Sequence, residues 1–231
     1  MKILVSGASY ATEGITNENF SWATYLRNEF PASVINLSRD GFSSDYVTRT
    51  IMHNCEIHYY DYVVAMFPSI TNRREMIVKD EMEKGSKYDF LAISGSPENH
   101  IPTEAGKFLN RKKLDVLEDW EGYMMNQFDD QFNQLQNIVL LGQYLKMKGI
   151  KHHMIFDLSP YPVILQDDCS GPVNINMYTM GKLARNYISF TEYSTTFIDA
   201  NNPEHWNSTL HPSRLGHEII GKRIENILRN L

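Results

Sequence analysis

A serine and a histidine near opposite ends of the chain are residue types that together can carry nucleophilic chemistry. Ser9 follows a short apolar run and Gly7 in the stretch SGASYATEG, and His211 precedes Pro212 in the stretch LHPSRLGHEIIGKRI. A serine hydroxyl becomes a nucleophile when a histidine accepts its proton. A histidine at the start of a helix feels the positive end of the helix dipole, which favours a neutral imidazole that can accept that proton.

The elements that must position these two residues are short apolar runs alternating with longer amphipathic patterns. Such alternation predicts a parallel sheet with helices on both faces, a three-layer α/β/α sandwich. Five strands suit a flavodoxin-like order, in which active sites lie beyond the carboxyl ends of the strands. The predicted strands are 2–5, 33–37, 62–67, 154–158 and 196–199, and the predicted helices are 20–30, 44–55, 132–148 and one from about Pro212.

The residues that follow the predicted strands are therefore the ones to examine for chemistry. Gly41 follows the second strand, where it either makes a simple turn or brings a backbone N–H close to a ligand. Asn72 follows the third strand, and its side-chain amide is a candidate donor to an oxyanion. The spacing G-x-S-x4-G after the first strand matches neither the dinucleotide nor the P-loop pattern, so nucleotide binding is disfavoured.

Residues 76–126 do not follow this alternation, because they are polar and broken by glycine and proline. We interpret the chain as a single domain of residues 1–231 with an insertion at 76–126. That insertion is either a lid over the site or a solvated excursion with no role.

Composition excludes several classes of function. The formal net charge is −6, and no basic stripe argues for nucleic acid or an anionic membrane as a partner. No apolar stretch approaches the roughly 20 residues of a membrane span. The two cysteines, Cys55 and Cys169, are expected to be buried thiols in a reducing compartment, so we expect a cytoplasmic protein, with later assembly into a larger particle left open.

Two further features lie near the last helix, a set of three histidines and a tryptophan. His205, His211 and His217 are candidate zinc ligands, but their spacing across a helix start disfavours convergence on one ion, so we expect no metal and no cofactor. His217 is expected to be packed and hydrogen-bonded inside the helix. Trp206 either stacks on a substrate or packs against the core.

The order of these motifs resembles the SGNH/GDSL hydrolase superfamily. ILVSGAS is similar to its first block, INLSRDGFSSDYVTRT to its second, and HPSRLGHEIIGKRI to its last. The chain is also similar to SGNH-like proteins found in phage and marine sequences.

The resemblance implies a role for each candidate residue. Ser9 would be the nucleophile and His211 the base. The N–H groups of Ser9 and Gly41, with the amide of Asn72, would form the oxyanion hole. The chain departs from the family pattern at three places. Ser208 stands where an acid three residues before the histidine is usual, Ala8 replaces an aspartate, and the Gly-x-Asn-Asp block is absent.

Without the usual acid, the imidazole would be oriented by Asp199, by Glu204 or by a backbone carbonyl. The resulting expectation is an esterase or deacylase acting on a small-molecule or carbohydrate ester, such as an O-acetyl group. The alternative is a catalytically degenerate SGNH-like binding or structural module, for example a phage virion or host-interaction protein with an assembly partner.

Overall fold

The computed structural model describes residues 1–13, 19–68, 73–80, 87–94, 127–157, 172–193, 197–208 and 211–230. Its main sheet is formed by five parallel strands in the order β2-β1-β3-β6-β7. This is the predicted flavodoxin-like order, and it is confirmed. The strands are β1 Lys2–Gly7, β2 Ser33–Asn36, β3 Tyr62–Phe67, β6 Lys151–Phe156 and β7 Ile188–Tyr193.

Five α-helices flank the sheet within the described residues: α1 Trp22–Glu29, α2 Ser44–Ile57, α3 Gln127–Met147, α4 Pro172–Ala184 and α5 Arg214–Arg229. Serines begin three of them. Ser21 forms a capping box, and the Ser43 hydroxyl accepts the N–H of Tyr46. Ser213 accepts the N–H of Gly216 at the start of α5. Each cap satisfies a backbone donor that the first helical turn leaves open, which is why the helices begin there.

The sheet separates two hydrophobic layers because alternate residues of each strand point to opposite faces. Val5 faces a cluster that includes Trp22 of α1 and Ile224 of α5. Leu4, its neighbour in β1, faces a second cluster that includes Ile51 of α2 and Leu141 of α3. The three-layer sandwich is therefore confirmed.

The predicted fifth strand is wrong. Residues 197–198 lie in a bend and residue 199 in a loop, and the fifth strand is β7, Ile188–Tyr193, paired with β6. Ile198 is nevertheless buried against the layer of α1 and α5. The apolar pair Phe197–Ile198 thus reflects a loop that packs on the core. Helix α4 was not predicted.

A separate antiparallel hairpin follows β3. Strands β4 Arg73–Asp80 and β5 Lys87–Ser94 pair with each other in a two-stranded sheet. The predicted insertion at 76–126 therefore begins inside a regular hairpin. Residues 95–126 lie outside the described residues, and a lid at 76–126 stays a prediction.

Candidate active site

Ser9 lies in a single 3₁₀ turn, Ser9–Ala11, directly beyond the carboxyl end of β1, and its side chain is buried. The N–H of Ala11 donates to the carbonyl of Ala8 at 3.0 Å, and the side-chain amide of Asn36 donates to the carbonyl of Ala11 at 2.8 Å. Ala8 itself is buried. The turn is thus anchored by backbone bonds and by the side chain of Asn36.

Gly7 is required for close packing. A Cβ at this position would lie 2.9 Å from the Cβ of Ala11 and 3.0 Å from the carbonyl oxygen of Met66. The only glycines with positive φ among the described residues are Gly41 and Gly149. Gly7 is therefore needed for space and not for a left-handed backbone, because any larger side chain would push the Ser9 turn away from β3.

Gly41 lies on the segment that continues alongside β1 after β2 ends. The N–H of Leu37 donates to Val5 and the N–H of Arg39 donates to Gly7, at 2.9 and 3.1 Å. This ladder brings the following turn beside the Ser9 turn. Gly41 has φ of +76° there, a left-handed conformation that favours glycine. Its N–H as an oxyanion donor stays a prediction.

His211 is held by hydrogen bonds among residues 205–208 and 211–213, which together we call the 205–213 turn. The N–H of Asn207 donates to the carbonyl of His211 at 2.9 Å, and the N–H of His211 donates to the Asn207 side-chain oxygen at 3.1 Å. The N–H of Ser213 donates to the carbonyl of His205 at 2.8 Å. The position of the histidine is therefore set by a closed turn that leads directly into α5.

The helix dipole acts on His211 less directly than the sequence suggested. Because Ser213 is the N-cap of α5, His211 lies two residues before the cap. The dipole effect falls off within the first turn of a helix. The dipole of α5 therefore has little effect at His211.

The rings of Tyr10, His211 and Trp206 form an aromatic cluster. The Tyr10 and His211 ring centroids lie 5.3 Å apart in an edge-to-face arrangement, and those of Tyr10 and Trp206 lie 6.4 Å apart. Trp206 is half-buried, and its indole N–H donates to the carbonyl of Asp199 at 3.1 Å. Tyr10 follows Ser9 in the chain, so the structure brings the serine turn and the histidine turn together. Substrate contact by Trp206 stays a prediction.

The two candidate orienting acids lie on or next to the 205–213 turn and are exposed. The Asp199 carboxylate accepts the N–H of Asn201 at 2.9 Å, which closes its own turn. Glu204 contributes its carbonyl oxygen to the Ser213 hydroxyl. Ser208 is also exposed. A role for Asp199 or Glu204 in orienting the imidazole stays a prediction, and Asn72 lies outside the described residues.

Asp157 is a candidate that the sequence analysis missed. It directly follows β6, its N–H donates to the carbonyl of Phe67 at 2.9 Å, and its side chain is 6% exposed. Burial, and secondarily the charge of Asp157, raises the pKa of the Tyr10 hydroxyl. The strand prediction ran through Leu158 and so placed this aspartate inside a strand. The sequence signal for Asp157 was a single acid directly after the predicted strand residues MIF.

His217 is buried one turn into α5. Burial, and secondarily the charge of His211, lowers the pKa of His217 to about 4. The expectation of a packed histidine is confirmed. The expected hydrogen bond is absent at Nδ1, which has no partner in the part of the chain that the structure describes. No cluster of three metal-type ligands occurs within that same part.

No family model matches the chain, and no curated protein matches it in sequence. Solved structures do match over nearly the whole chain. The psychrotrophic esterase EstA from Pseudoalteromonas sp. has a TM-score of 0.55 and 11% identity, covering 99% of this chain and 97% of its own. The lipase/acylhydrolase from Enterococcus faecalis has a TM-score of 0.51 and 13% identity, covering 99% and 95%.

A third match, from Desulfitobacterium hafniense DCB-2, is described as lipolytic and of the G-D-S-L family, with a TM-score of 0.52, 12% identity and 98% coverage of both chains. The class defined by fold and site is thus an α/β sandwich that presents a serine turn and a histidine turn at one edge of its sheet. The chain shares the fold of these structures, which confirms the fold that the resemblance to the SGNH/GDSL superfamily implies. Within the described residues, no helix is both long and apolar enough to span a bilayer.

Proposed function

We propose that this protein is a serine ester hydrolase that acts through a Ser9 acyl-enzyme with His211 as its base. The observation that carries the proposal is the edge-to-face contact between His211 and Tyr10, the residue next to Ser9. This contact joins two turns that are about 200 residues apart in sequence, at the edge of the sheet where α/β enzymes place their chemistry. The esterase and lipase neighbours support the same class of reaction.

The reaction is acyl transfer in two steps. The Ser9 oxygen bonds to the ester carbonyl carbon while His211 takes the serine proton, and N–H donors stabilise the resulting oxyanion. The carbon–oxygen bond of the ester then breaks, and His211 gives the proton to the leaving alcohol. Water then attacks the carbonyl carbon of the acyl-enzyme while His211 takes its proton. The bond from that carbon to the Ser9 oxygen breaks, His211 returns the proton to Ser9, and the acid is released.

The proposed substrates are small-molecule or carbohydrate esters, O-acetyl groups among them. Ser9 and His211 lie in tight turns held by short-range bonds, whereas Trp206 presents a half-buried ring beside them. An aromatic ring in this position offers a stacking surface for a sugar or an acyl chain. Trp206→Ala is therefore expected to raise KM for aryl or sugar acetates more than it lowers kcat.

The deciding experiment is labelling by a fluorophosphonate, read by intact mass. EstA is described as inhibited by monoethylphosphonate, which supports a phosphorus probe for this fold. We expect a single adduct on the native chain, lost in Ser9→Ala and in His211→Ala. Ser208→Ala and His53→Ala alter an exposed serine and an exposed histidine and should keep it.

Absence of an adduct in a protein that is folded by circular dichroism would refute the hydrolase mechanism. The alternative of a degenerate SGNH-like binding or structural module would then replace it. Adducts that persist in Ser9→Ala would equally refute Ser9 as the nucleophile.

A further inference from the structure

Asp157 and Ser9 lie at the same edge of the sheet. In the register of the sheet, Gly7 pairs with Met66 and Met66 pairs with Ile155. Ser9 comes two residues after Gly7, in the turn beyond β1, and Asp157 comes two residues after Ile155, directly beyond β6. Neighbouring strands are about 4.8 Å apart, so the backbones of Gly7 and Ile155 are separated by roughly 10 Å.

The alternation of side chains places the Asp157 carboxylate on the face of the sheet that carries the aromatic cluster. Ile155 packs in the layer of Tyr10, α1 and α5, whereas Met154 and Phe156 pack in the opposite layer. Asp157 continues this alternation on the side of Ile155, because its N–H still donates to Phe67 in the ladder of β3 and β6. Its effect on the ionisation of Tyr10 agrees with that placement.

We propose that Asp157 supplies the negative charge that stabilises protonated His211, in place of the acid that is absent at position 208. The inference rests on the proposed function, in which His211 carries a positive charge in the transition state. Asp157 acts on His211 through space, and the Tyr10 ring lies beside His211. Asp157 is therefore a positioning residue that supplies charge. The carboxylate thus comes from a strand end and not from the 205–213 turn.

Other titratable groups lie on the elements around His211, and the two carboxylates among them differ from Asp157 in exposure. Tyr10 comes from the serine turn and His217 from α5, and neither carries a negative charge at neutral pH. His205, Asp199 and Glu204 come from the 205–213 turn or its approach, and both carboxylates are exposed, so solvent and salt screen them. Asp157 is the buried carboxylate among these groups, so its field is screened least.

The test is Asp157→Asn, with Glu29→Gln as the control at an exposed carboxylate of α1. The first readout is the pH at which the His211 ring is half protonated, followed by NMR and assigned with His211→Ala. We expect roughly tenfold weaker proton binding by His211 in Asp157→Asn, because the loss of a buried negative charge disfavours the protonated ring. Glu29→Gln should change proton binding by less than about twofold, since exposed charges are screened.

The second readout is the rate of fluorophosphonate labelling against pH. Asp157→Asn should lower the plateau rate about tenfold, because the positive charge forms in the transition state, and should move the acidic limb to lower pH. Asp157→Glu, which keeps the charge, should restore much of both. Asp157→Ser is the second uncharged variant if the asparagine variant fails to fold.

The outcomes separate the two proposals. If the native chain is not labelled but Asp157→Asn weakens proton binding by His211, the proposed function fails and the electrostatic inference stands. If labelling occurs but neither uncharged variant changes proton binding, or Glu29→Gln changes it as much, the role of Asp157 is overturned. If Asp157→Glu behaves like Asp157→Asn, the charge is not what matters and the inference is overturned as well.

Discussion

Removing the buried His217 should make the protein more resistant to acid. Its side chain is 1% exposed, and its pKa falls from 6.5 to about 4 in the folded chain. Between these two values the unfolded chain binds a proton that the folded chain does not. Stability from this group is therefore fully present above pH 6.5 and is lost as the pH falls toward 4.

The magnitude follows from the two pKa values. A tenfold change in proton affinity is worth about 1.4 kcal/mol, so the loss is about 1 kcal/mol at pH 5.5 and about 3 kcal/mol at pH 4.5. This is a large fraction of the 5–15 kcal/mol that stabilises an ordinary domain. His217→Leu cannot take up a proton, and it leaves no polar atom without a partner in the buried site.

The assay is urea unfolding of the native chain and of His217→Leu at pH 7.0, 5.5 and 4.5. The difference in free energy of unfolding between them should shift in favour of the variant by about 3 kcal/mol from pH 7.0 to pH 4.5. His53→Leu, at an exposed position of α2, is the control and should follow the native curve. Parallel curves for the native chain and His217→Leu would refute the reasoning.

Three other substitutions test the turns around the site. Gly41→Ala should cost about 1–2 kcal/mol of stability by urea unfolding, because φ is +76° and no atom lies within 4 Å of the added methyl, so the loss is purely conformational. Gly41→Asn should cost less, and equal stability of all three would contradict this. Gly216→Ala should abolish labelling, because its Cβ would lie 2.4 Å from the His205 carbonyl and displace the 205–213 turn. Gly221 lies elsewhere on α5, and an added methyl there would crowd the ring of Tyr25 on α1. Gly221→Ala should therefore lower the unfolding midpoint and leave labelling intact. Ser208→Asp restores a carboxylate at the family position and should speed labelling on the order of tenfold, whereas unchanged labelling would show that no acid is needed there.

The parallel sheet could be predicted because its strands are buried on both faces. Residues Tyr62–Phe67 are all buried, and the sequence there is a continuous apolar run that marks both boundaries of β3. The start of α5 was similarly marked, because Pro212 and Ser213 stand before an amphipathic stripe. A buried strand and a helix cap each depend on residues that are adjacent in the chain, so a single sequence contains the pattern that predicts them.

The fifth strand could not be predicted by the same means. Phe197 and Ile198 are apolar because they pack on α5 from a loop, which a strand pattern cannot distinguish from pairing in the sheet. The strand that does pair with β6 has the sequence ISFTEY, whose mixed polarity gives a weaker signal. Tertiary packing determines which of the two segments pairs in the sheet, and no local sequence preference indicates that choice.

The site shows the same division between local and non-local signals. Ser9 and His211 were found because each stands beside a glycine or proline turn that the sequence displays. Asp157 was missed because its relation to Ser9 exists only in the register of three strands that are far apart in the chain. Asp157 is a candidate because of its place at the edge of the sheet and the face of the sheet on which it lies. Both are properties of the assembled sheet.

An acid three residues before a catalytic histidine does two things at once, since it orients the imidazole and compensates the charge. In this chain the two effects are separable. The 205–213 turn fixes the backbone of His211 through bonds of 2.8–3.1 Å, and the Tyr10 ring packs on the imidazole with centroids 5.3 Å apart. None of those contacts supplies a negative charge. The charge can therefore come from a different element, provided that the carboxylate is buried enough to act across several ångströms, and Asp157 satisfies that condition. Because the two effects can come from different elements, the serine at position 208 does not by itself argue against catalysis.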